Sequence, residues 1–330
     1  MLHKQIDILA IGDLTTDAFI RLKDAHIHCR INHDERELCL PFGGKIPFEY
    51  VKVVKGVGNA ANASVAAARL GLRTALVSNA GDDTNGHECM NELQSQKVIT
   101  SYIKVHKNKP TNYHFVLWYE ADRTILVNHV EYDYQLPKLP RSKWIYLTSV
   151  AANTFPYHMA IADYLEAHPD IKLAFQPGTY QLKLGLSELQ RIYARADVFI
   201  ANREEVAALL KSSGDLKSLL KSIHDRGPKL VLITDSVDGA YLFDGDHYYH
   251  MPIYPDSRPP LERTGCGDAF ASTFVGALAL GLTPLEALTW APVNPMSVAQ
   301  FIGAQEGLLT REQLEWWLNR AQVDYRPKEI

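Results

Sequence analysis

The residues most able to do chemistry lie in one short run, Thr264-Gly-Cys-Gly-Asp268. Gly265 and Gly267 allow a tight turn and let the backbone approach a ligand without a Cβ in the way. A helical pattern follows directly, so the N–H groups of Gly265, Cys266 and Gly267 can point at one anion, beside the positive end of that helix. The run therefore predicts an anion hole that suits a transferring phosphoryl group.

Asp268 stands at the mouth of the predicted anion hole. Its carboxylate is placed to accept a proton from a hydroxyl group as that hydroxyl attacks a bound phosphate. The same run also fits a simpler interpretation, in which the glycines make a turn and the aspartate matches the dipole of a helix start. Further elements in the right order along the chain must decide between the two.

Short apolar runs alternate with amphipathic stretches along most of the chain, which is typical of parallel βαβ units. The predicted strands are Ile6–Ile11, Thr74–Ser78, Trp144–Ser149, Leu173–Gln176, Val198–Asn202 and Leu230–Thr234. The predicted helices between them are Asn59–Leu70, Asn85–Gln94, Tyr157–Ala167 and Glu204–Lys211. Right-handed crossovers place such helices on the faces of the sheet, and ligands bind beyond the carboxyl ends of its strands.

Two segments, about 17–55 and 101–130, break this alternation. They contain strand-like pieces without intervening helices, namely Glu37–Leu40, Tyr50–Val54 and His114–Tyr119. We expect two of these pieces to pair into a small separate sheet that acts as a lid. Nearer the C-terminus, Gly239–Phe243 and His247–Met251 flank a strong hairpin turn, and the last third, from Asp268 through Leu280 to Leu318, is predicted to be helical.

Composition excludes several classes of protein. The 330 residues, 46% of them hydrophobic, can fill one large core, and no linker is visible, so a single domain over 1–330 is expected. A net charge of −4 with scattered basic residues indicates no nucleic-acid partner. No run approaches the roughly 20 apolar residues that span a bilayer, and the four cysteines form no metal signature. A cytoplasmic protein with no membrane partner is therefore expected.

Three separate motifs resemble those of the phosphofructokinase-B, or ribokinase-like, sugar and nucleoside kinases. Glu262-Arg-Thr-Gly-Cys-Gly-Asp-Ala-Phe270 is similar to the C-terminal signature of the family. Gly58-Asn-Ala-Ala-Asn62, followed by Leu70-Gly71-Leu72, is similar to the N-terminal signature, and Asn202-Arg-Glu-Glu205 to the N-x-x-E element. The resemblance covers nearly the whole chain and implies an α/β protein: a ribokinase-like three-layer α/β/α fold with a mostly parallel central sheet and a small β-sheet lid.

The resemblance also implies a function, an ATP-dependent carbohydrate kinase in which Asp268 is the general base and Gly265, Cys266 and Gly267 form the anion hole. Small-carbohydrate binding would fall to Asp17, Gly58, Asn62 and Arg123. ATP binding would fall to Asn202, Thr234, Gly239 and Asn294. Glu205 would organise Mg²⁺, largely through water, which agrees with the reluctance of that ion to dehydrate.

Three of these residues also have an interpretation in which they serve only the structure. Glu205 fits a solvated charge at a helix start, Asn62 a helix-capping amide, and Arg123 a solvated side chain on a lid strand. Asp13, at the same strand end as Asp17, is a weaker candidate for the site.

The sequence departs from the family pattern at a few positions. Glu262 stands where aspartate is more frequent, in a loop that holds a monovalent cation in some members, so K⁺ binding is left open. Val57 and Ser236 stand where the family usually has glycine, and Cys266 stands where it usually has alanine. Gln176 lies at the end of a predicted strand, and many relatives have an aspartate and an asparagine in this region.

Two other functions remain open at this stage. A nucleoside kinase on the same fold would need a flat apolar slot for a base, near Tyr113, Phe115 or Trp118. A ligand-binding member without catalysis is the other alternative, although such a protein has no need of a base beside an anion hole. A homodimer through the lid sheet is also possible, since an exposed sheet edge often finds a partner.

Overall fold

A computed structural model describes residues 5–23, 26–29, 36–119, 122–212 and 214–330, with the side chains of residues 26–29, Arg36 and Asp122 outside this description. The predicted lid segments, 17–55 and 101–130, both include positions outside these ranges. No helix in the described part of the chain is long and apolar enough to cross a membrane.

The described strands and helices are numbered in chain order. The strands are β1 (Ile6–Ile11), β2 (Thr15–Leu22), β3 (His26–Cys29), β4 (Arg36–Cys39), β5 (Phe48–Val57), β6 (Thr74–Gly81), β7 (Ile99–His106), β8 (Asn112–Tyr119), β9 (Asp122–Asn128), β10 (Ser142–Leu147), β11 (Lys172–Phe175), β12 (Val198–Asn202), β13 (Leu230–Thr234), β14 (Ala240–Phe243), β15 (Tyr248–Met251) and β16 (Lys328–Glu329). The helices are α1 (Asn59–Arg69), α2 (Thr84–Ser95), α3 (Phe155–Ala167), α4 (Thr179–Glu188), α5 (Gln190–Arg195), α6 (Arg203–Leu210), α7 (Leu216–His224), α8 (Cys266–Ala279), α9 (Pro284–Trp290), α10 (Val293–Val298) and α11 (Arg311–Leu318).

A ten-stranded sheet forms the centre of the molecule, in the order β16-β15-β14-β13-β12-β11-β10-β1-β6-β7. The strands from β7 to β13 pair in parallel, and the remaining pairs, from β13 to β16, are antiparallel. All six strands predicted from apolar runs lie in this sheet. The predicted α/β class with a mostly parallel central sheet is confirmed.

Helices cover both faces of the large sheet because its strands are apolar on both sides. In β1, Ile8 and Ala10 face one core that also contains buried residues of α1 and α8. The neighbouring Leu9 and Ile11 face a second core, with buried residues of α3, α5 and α7. Alternation along a strand thus separates two hydrophobic cores and produces the three layers.

A smaller sheet with the strand order β5-β2-β8-β9 lies apart from the large one. Its strands confirm the predicted pieces at Tyr50–Val54 and His114–Tyr119, but β2 lies between them, so they do not pair with each other. The predicted bounds need two corrections. Residues 101–106 belong to β7 of the large sheet, and β4 pairs only with β3, in a separate two-stranded ribbon.

The C-terminal part follows the prediction with one interruption. The hairpin of β14 and β15 forms as expected, and α8 to α11 provide the helices. Between α10 and α11, however, residues 299–310 run as bends and turns. There, Gly303 has a φ of 91°, a left-handed conformation that ends regular helix.

Candidate active site

Asp268 lies in the first turn of α8, and its carboxylate is held by three side-chain amides. Asn59 donates to Oδ1 at 2.9 Å and Asn62 to Oδ2 at 2.8 Å. These asparagines are three residues apart on α1, so both amides leave the same face of the helix. The Gln176 amide also donates to Oδ1, at 3.3 Å, and its own carbonyl oxygen accepts from the hydroxyl of Tyr146. The carboxylate is therefore fixed in one orientation.

Burial raises the pKa of the Asp268 carboxyl group, and the nearby charge of Asp17 adds to the rise. The three amide donors act in the opposite direction, because a hydrogen bond donated to a carboxylate favours its ionised form. A carboxylate that is buried, oriented and more basic than usual is suited to taking a proton from a hydroxyl group.

The turn before α8 depends on glycine at position 265. Gly265 has a φ of 82°, and a Cβ there would lie 2.2 Å from the Cβ of Ala304. Glu262 ties down the residue before this turn, since its Oε1 accepts hydrogen bonds from the N–H and the hydroxyl of Thr264. The glycine and the carboxylate together fix where α8 begins.

Two of the three N–H groups predicted to form an anion hole have no partner within the described part of the protein. The N–H groups of Gly265 and Gly267 have no acceptor among the described residues, whereas the N–H of Cys266 donates to the Arg263 carbonyl at 3.3 Å. Burial raises the pKa of the Cys266 thiol to about 12, so its side chain stays neutral beside the turn.

Two polar cavities meet at Asp268, which lines both of them together with Asn59. The first, here called the small-sheet cavity, has a volume of about 340 Å³ and includes Asp17 and Asn62. The second, the glycine-turn cavity, has a volume of about 310 Å³ and includes Gly265 and Gly267. The carboxylate is thus reachable from two sides.

The small-sheet cavity contains three of the four residues predicted to bind a carbohydrate, namely Asp17, Gly58 and Asn62. Gly58 has a φ of 109°, and a Cβ there would lie 2.6 Å from the Asp13 carbonyl oxygen. Asp13, the weaker candidate, also lines this cavity. Asn62 is not a simple helix cap, because its Oδ1 accepts from Gln305 while its amide holds Asp268.

Arg123, the fourth residue predicted to bind a carbohydrate, lies elsewhere. It extends from β9 into the glycine-turn cavity, and its Nε lies 3.6 Å from Oε1 of Glu262, a side chain only 2% exposed. A strand of the small sheet thereby reaches the loop that leads into the glycine turn.

The glycine-turn cavity also contains Asn202, Glu205 and Thr234. Asn202 caps α6 by accepting from the N–H of Glu205 at 2.8 Å, and the Glu205 carboxylate accepts from the N–H of Asn202 at 2.9 Å. Burial is the main reason that the pKa of Glu205 is raised. Glu205 is therefore a buried partner in a capping box that also faces the cavity, not a solvated charge at a helix start.

A third cavity, the apolar cavity, has a volume of about 220 Å³ and adjoins the glycine turn through Gly267. Thr234 and Gly239, two of the residues predicted to bind ATP, line it. Asn294 does not: it is fully buried, and its amide donates to Thr273 while its carbonyl oxygen accepts from the N–H of Leu309. Its neighbours on α10, Pro295 and Met296, line the cavity instead.

Several residues of these cavities were not predicted as site residues from the sequence. In the small-sheet cavity they are Asn59, Asn112, His114, His129, Tyr180 and Lys183. Asn59 had a usable signal, its spacing of three from Asn62 on a predicted helix. Asn112, His114 and His129 come from β8 and from the end of β9, and Tyr180 and Lys183 come from α4, so their meeting depends on how whole elements pack.

Comparison with known proteins agrees with this arrangement. The family model described as pfkB family carbohydrate kinase matches residues 49–310. The ribokinase of Bacillus subtilis is 27% identical over 267 residues, which cover 78% of this chain and 86% of the relative. The 5-dehydro-2-deoxygluconokinase of Geobacillus kaustophilus is 25% identical over 247 residues, 67% of this chain and 72% of the relative.

Solved structures show the same fold at low sequence identity. Arabidopsis thaliana ribokinase, complexed with ribose and ATP, superposes with a TM-score of 0.77 at 17% identity, over 95% of this chain and 99% of that one. The nucleoside kinase of Methanocaldococcus jannaschii gives a TM-score of 0.78 at 16% identity, over 96% of this chain and all 100% of the other. With the matched family model covering most of its length, this chain belongs to the pfkB family of carbohydrate kinases.

Proposed function

We propose that this protein is an ATP-dependent sugar kinase that transfers the γ-phosphate of ATP to a hydroxyl group of a small carbohydrate. The observation that carries the proposal is the position of Asp268, in the shared wall of the small-sheet and glycine-turn cavities. An acceptor hydroxyl in the first cavity and a γ-phosphate in the second would meet at this carboxylate, as general-base catalysis requires.

The acceptor would lie in the small-sheet cavity. Asp17, which is largely buried there, offers carboxylate oxygens that can accept hydrogen bonds from adjacent hydroxyl groups. Gly58 lets the chain pass against the Asp13 carbonyl at the cavity wall, and Asn62 keeps Asp268 turned toward the reacting hydroxyl. Asp268 then removes the proton of that hydroxyl as its oxygen attacks the γ-phosphorus.

The transferring phosphoryl group would lie in the glycine-turn cavity. The N–H groups of Gly265 and Gly267 and the positive end of α8 stabilise the charge on its oxygens. Arg123 and Arg263 line the same cavity and add positive charge there, so Arg123 is a phosphate-side residue in this proposal. The nucleotide base would occupy the apolar cavity, and the phosphates would pass Gly239, which lines that cavity, and Thr234, which lines both cavities.

Magnesium fits the glycine-turn cavity with few direct protein ligands. No group of three or more histidine, cysteine or acidic side chains that could hold a metal occurs in the part of the chain described by the structure. Glu205, and Asn202 beside it, would hold the ion mainly through water and through the phosphates. When bound, Mg²⁺ neutralises part of the charge on the transferring phosphate.

Potassium fits less well. The carboxylate of Glu262 that would attract a monovalent cation is buried, accepts two hydrogen bonds from Thr264, and already faces the guanidinium of Arg123. The residues present therefore compensate its charge without an added ion. We expect the same turnover in buffers containing K⁺ and in buffers containing only Na⁺.

A nucleoside acceptor would need a flat apolar slot for its base, and the three aromatic residues suggested for that slot lie outside the acceptor cavity. None of Tyr113, Phe115 and Trp118 is among the residues that line the small-sheet cavity. Tyr113 and Phe115 pack against each other, and Phe115 is 45% exposed. Trp118 lies under the guanidinium of Arg21. Most of the residues that line the cavity instead carry a hydroxyl, amide, carboxylate or imidazole group, which favours a carbohydrate.

The decisive experiment replaces Asp268 by Asn. This change keeps size and most hydrogen bonds but removes the base, so we expect kcat to fall at least about 10²-fold with little change in the affinity for ATP. ATP consumption with a panel of sugars and nucleosides gives kcat, and calorimetry gives ATP affinity. A fully active Asp268→Asn enzyme would remove the base from the mechanism, and turnover only with nucleosides would overturn the choice of acceptor. A wild-type protein that binds sugar and ATP without turnover would support the non-catalytic alternative.

A further inference from the structure

Two histidines of the small sheet face two carboxylates inside the small-sheet cavity. His114, on β8, has its Nδ1 3.3 Å from Oδ1 of Asp17. His129, just after β9, has its Nδ1 3.3 Å from Oδ2 of Asp13. The two imidazole rings stack, with centroids 5.2 Å apart and planes inclined by 17°. Two parallel histidine–carboxylate pairs thus form one wall of the cavity.

The register of the strands explains this arrangement. Asp17 and His114 are direct cross-strand partners in the parallel pairing of β2 with β8, so both side chains leave the same face of the sheet. His114 in turn lies opposite Val127 of β9, another residue of the cavity wall. Asp13 comes from the other side, at the end of β1 in the large sheet. The His129–Asp13 pair therefore joins the small sheet to the central one.

The hydrogen-bonding capacity of these pairs is not satisfied within the described part of the protein. Oδ2 of Asp13, Oδ1 of Asp17, Nδ1 of His129 and Nε2 of His114 are buried atoms without a hydrogen-bond partner there. The 3.3 Å contacts bring opposite polarities together but do not meet hydrogen-bond geometry. By contrast, Oδ1 of Asp13 accepts a hydrogen bond from the hydroxyl of Tyr134 at 2.6 Å. Unsatisfied buried polar groups are costly, and at a cavity wall they indicate a polar ligand.

A hydroxyl group is the chemistry that satisfies such a pair, because it donates one hydrogen bond and accepts others. Its O–H can donate to the carboxylate while its oxygen accepts from the imidazole N–H. An anion would suit the imidazoles alone and would be repelled by both carboxylates, and an apolar group would leave every atom unsatisfied. Two pairs side by side require hydroxyl groups on two different carbons of one ligand.

We propose that His114 and His129 are acceptor-binding residues, and that the His114–Asp17 and His129–Asp13 pairs each bind one hydroxyl group of a polyhydroxylated acceptor. This inference rests on the proposed sugar kinase function and adds two residues, and the role of Asp13, that the family motifs do not supply. The bound hydroxyls are distinct from the one that reacts at Asp268. The pairs therefore select an acceptor by those of its hydroxyl groups that do not receive the phosphate.

The packing around His129 supports a fixed binding position. Tyr180 of α4 meets the imidazole of His129 edge to face, with ring centroids 5.8 Å apart. The ammonium group of Lys183 lies over the Tyr180 ring, 5.5 Å from its centroid. A ring held between His114 and Tyr180 presents its nitrogens in a constant direction, which a hydroxyl-specific site needs.

The test compares variants that keep or remove the N–H donor. His114→Asn and His129→Asn retain a donor near the position of Nδ1, whereas His114→Leu and His129→Leu remove it. His87→Leu, at a histidine on α2 whose side chain is 59% exposed, is the matched control. Each is assayed for ATP consumption with D-ribose, D-fructose and D-glucose, and with 2-deoxy-D-ribose, 3-deoxy-D-fructose and 2-deoxy-D-glucose.

For the best parent sugar we expect both Leu variants to lose at least about tenfold in kcat/KM, mainly through the acceptor KM, with the KM for ATP unchanged. The Asn variants should retain more activity, and the His87→Leu enzyme should match wild type. Wild type should discriminate against a deoxy analogue that lacks a bound hydroxyl, and the Leu variants should discriminate less. Melting temperatures identify any variant that is not folded, and the wild-type comparison of parent and deoxy sugars does not depend on variants.

The failures of the two proposals can be told apart. Absence of turnover with every carbohydrate would overturn the sugar kinase function and this inference with it. Turnover that is unchanged in both folded Leu variants, together with equal use of parent and deoxy sugars by wild type, would overturn only the role of the histidine–carboxylate pairs.

Discussion

Asp268 shows how much of a functional residue's behaviour depends on neighbours distant in sequence. Its amide partners are Asn59 and Asn62 on α1 and Gln176 beyond β11. Burial raises the pKa of the carboxyl group, and the amide donors limit that rise. These opposing effects keep the group ionised enough to accept a proton and basic enough to use it.

The pH dependence of the reaction tests this balance. Because the pKa of Asp268 is raised, we expect kcat/KM to fall on the acid side at a pH above the ordinary range of an aspartate, by about tenfold per pH unit below that pKa. Glu205, whose pKa is also raised, is a second source of an acid limb. A Glu205→Gln enzyme should be slower yet keep the limb that belongs to Asp268. A rate that stays flat down through the ordinary aspartate range would contradict the assignment.

At the scale of elements, the start of α8 decides where the chemistry is positioned. The helix begins from a left-handed glycine, with Glu262 holding the preceding residue and Ala304 packed against the turn. Gly265 and Gly267 both line the glycine-turn cavity, but their surroundings differ. A Cβ at Gly265 meets Ala304, whereas a Cβ at Gly267 meets nothing within 4 Å.

Alanine at each of the two glycines should therefore act in opposite directions on stability. Gly265→Ala forces a positive φ on a residue with a side chain and creates a clash, which we expect to cost about 1–3 kcal/mol in the free energy of unfolding. Gly267→Ala, inside the first turn of the helix, should stabilise by about 0.5–1 kcal/mol. Urea denaturation of both variants measures the difference, and equal destabilisation would show that the contact with Ala304 is not the determinant.

At the scale of the whole molecule, the small sheet contributes to both polar cavities of a site that is mostly built on the large sheet. Asp17 and His114 reach the small-sheet cavity, and Arg123 reaches the glycine-turn cavity. This supports its proposed role as a lid that excludes water during transfer. On the outer face, Val53, Phe115 and Leu126 are exposed in neighbouring strands. A homodimer through this sheet stays a prediction.

Arg123 is the residue through which the lid would act on the phosphate. Its guanidinium lies beside Glu262 and in the phosphate-side cavity, so we expect Arg123→Met to lower kcat at least about tenfold with a smaller effect on the acceptor KM. Arg123→Lys should be intermediate, because lysine keeps the charge and loses the planar fork.

Arg191→Met is the control for loss of a surface arginine, since Arg191 pairs only with exposed carboxylates of α3. An Arg123→Met enzyme with unchanged kcat and a raised acceptor KM would instead place this residue in acceptor binding, as the sequence first suggested.

The sequence by itself determined the fold class, the order of the βαβ units and the chemistry of the glycine turn, because these depend on local pattern. Apolar runs of strand length alternate with helical periodicity, and Thr264–Asp268 carries its meaning in adjacent residues. The resemblance to the kinase family predicted Asp17, Gly58 and Asn62, and the structure brings all three into one cavity with Asp268.

Only the tertiary structure decided which other side chains join them. The pairing of β2 with β8 and β9 sets His114 against Asp17 and carries Arg123 to Glu262, and no local pattern specifies strand order in a sheet. Asn294 turned out to hold Thr273 and Leu309 within the core because helix packing leaves its amide facing inward. Contacts between residues far apart in the chain arise from the packing of whole elements, and that packing is not readable from neighbouring residues.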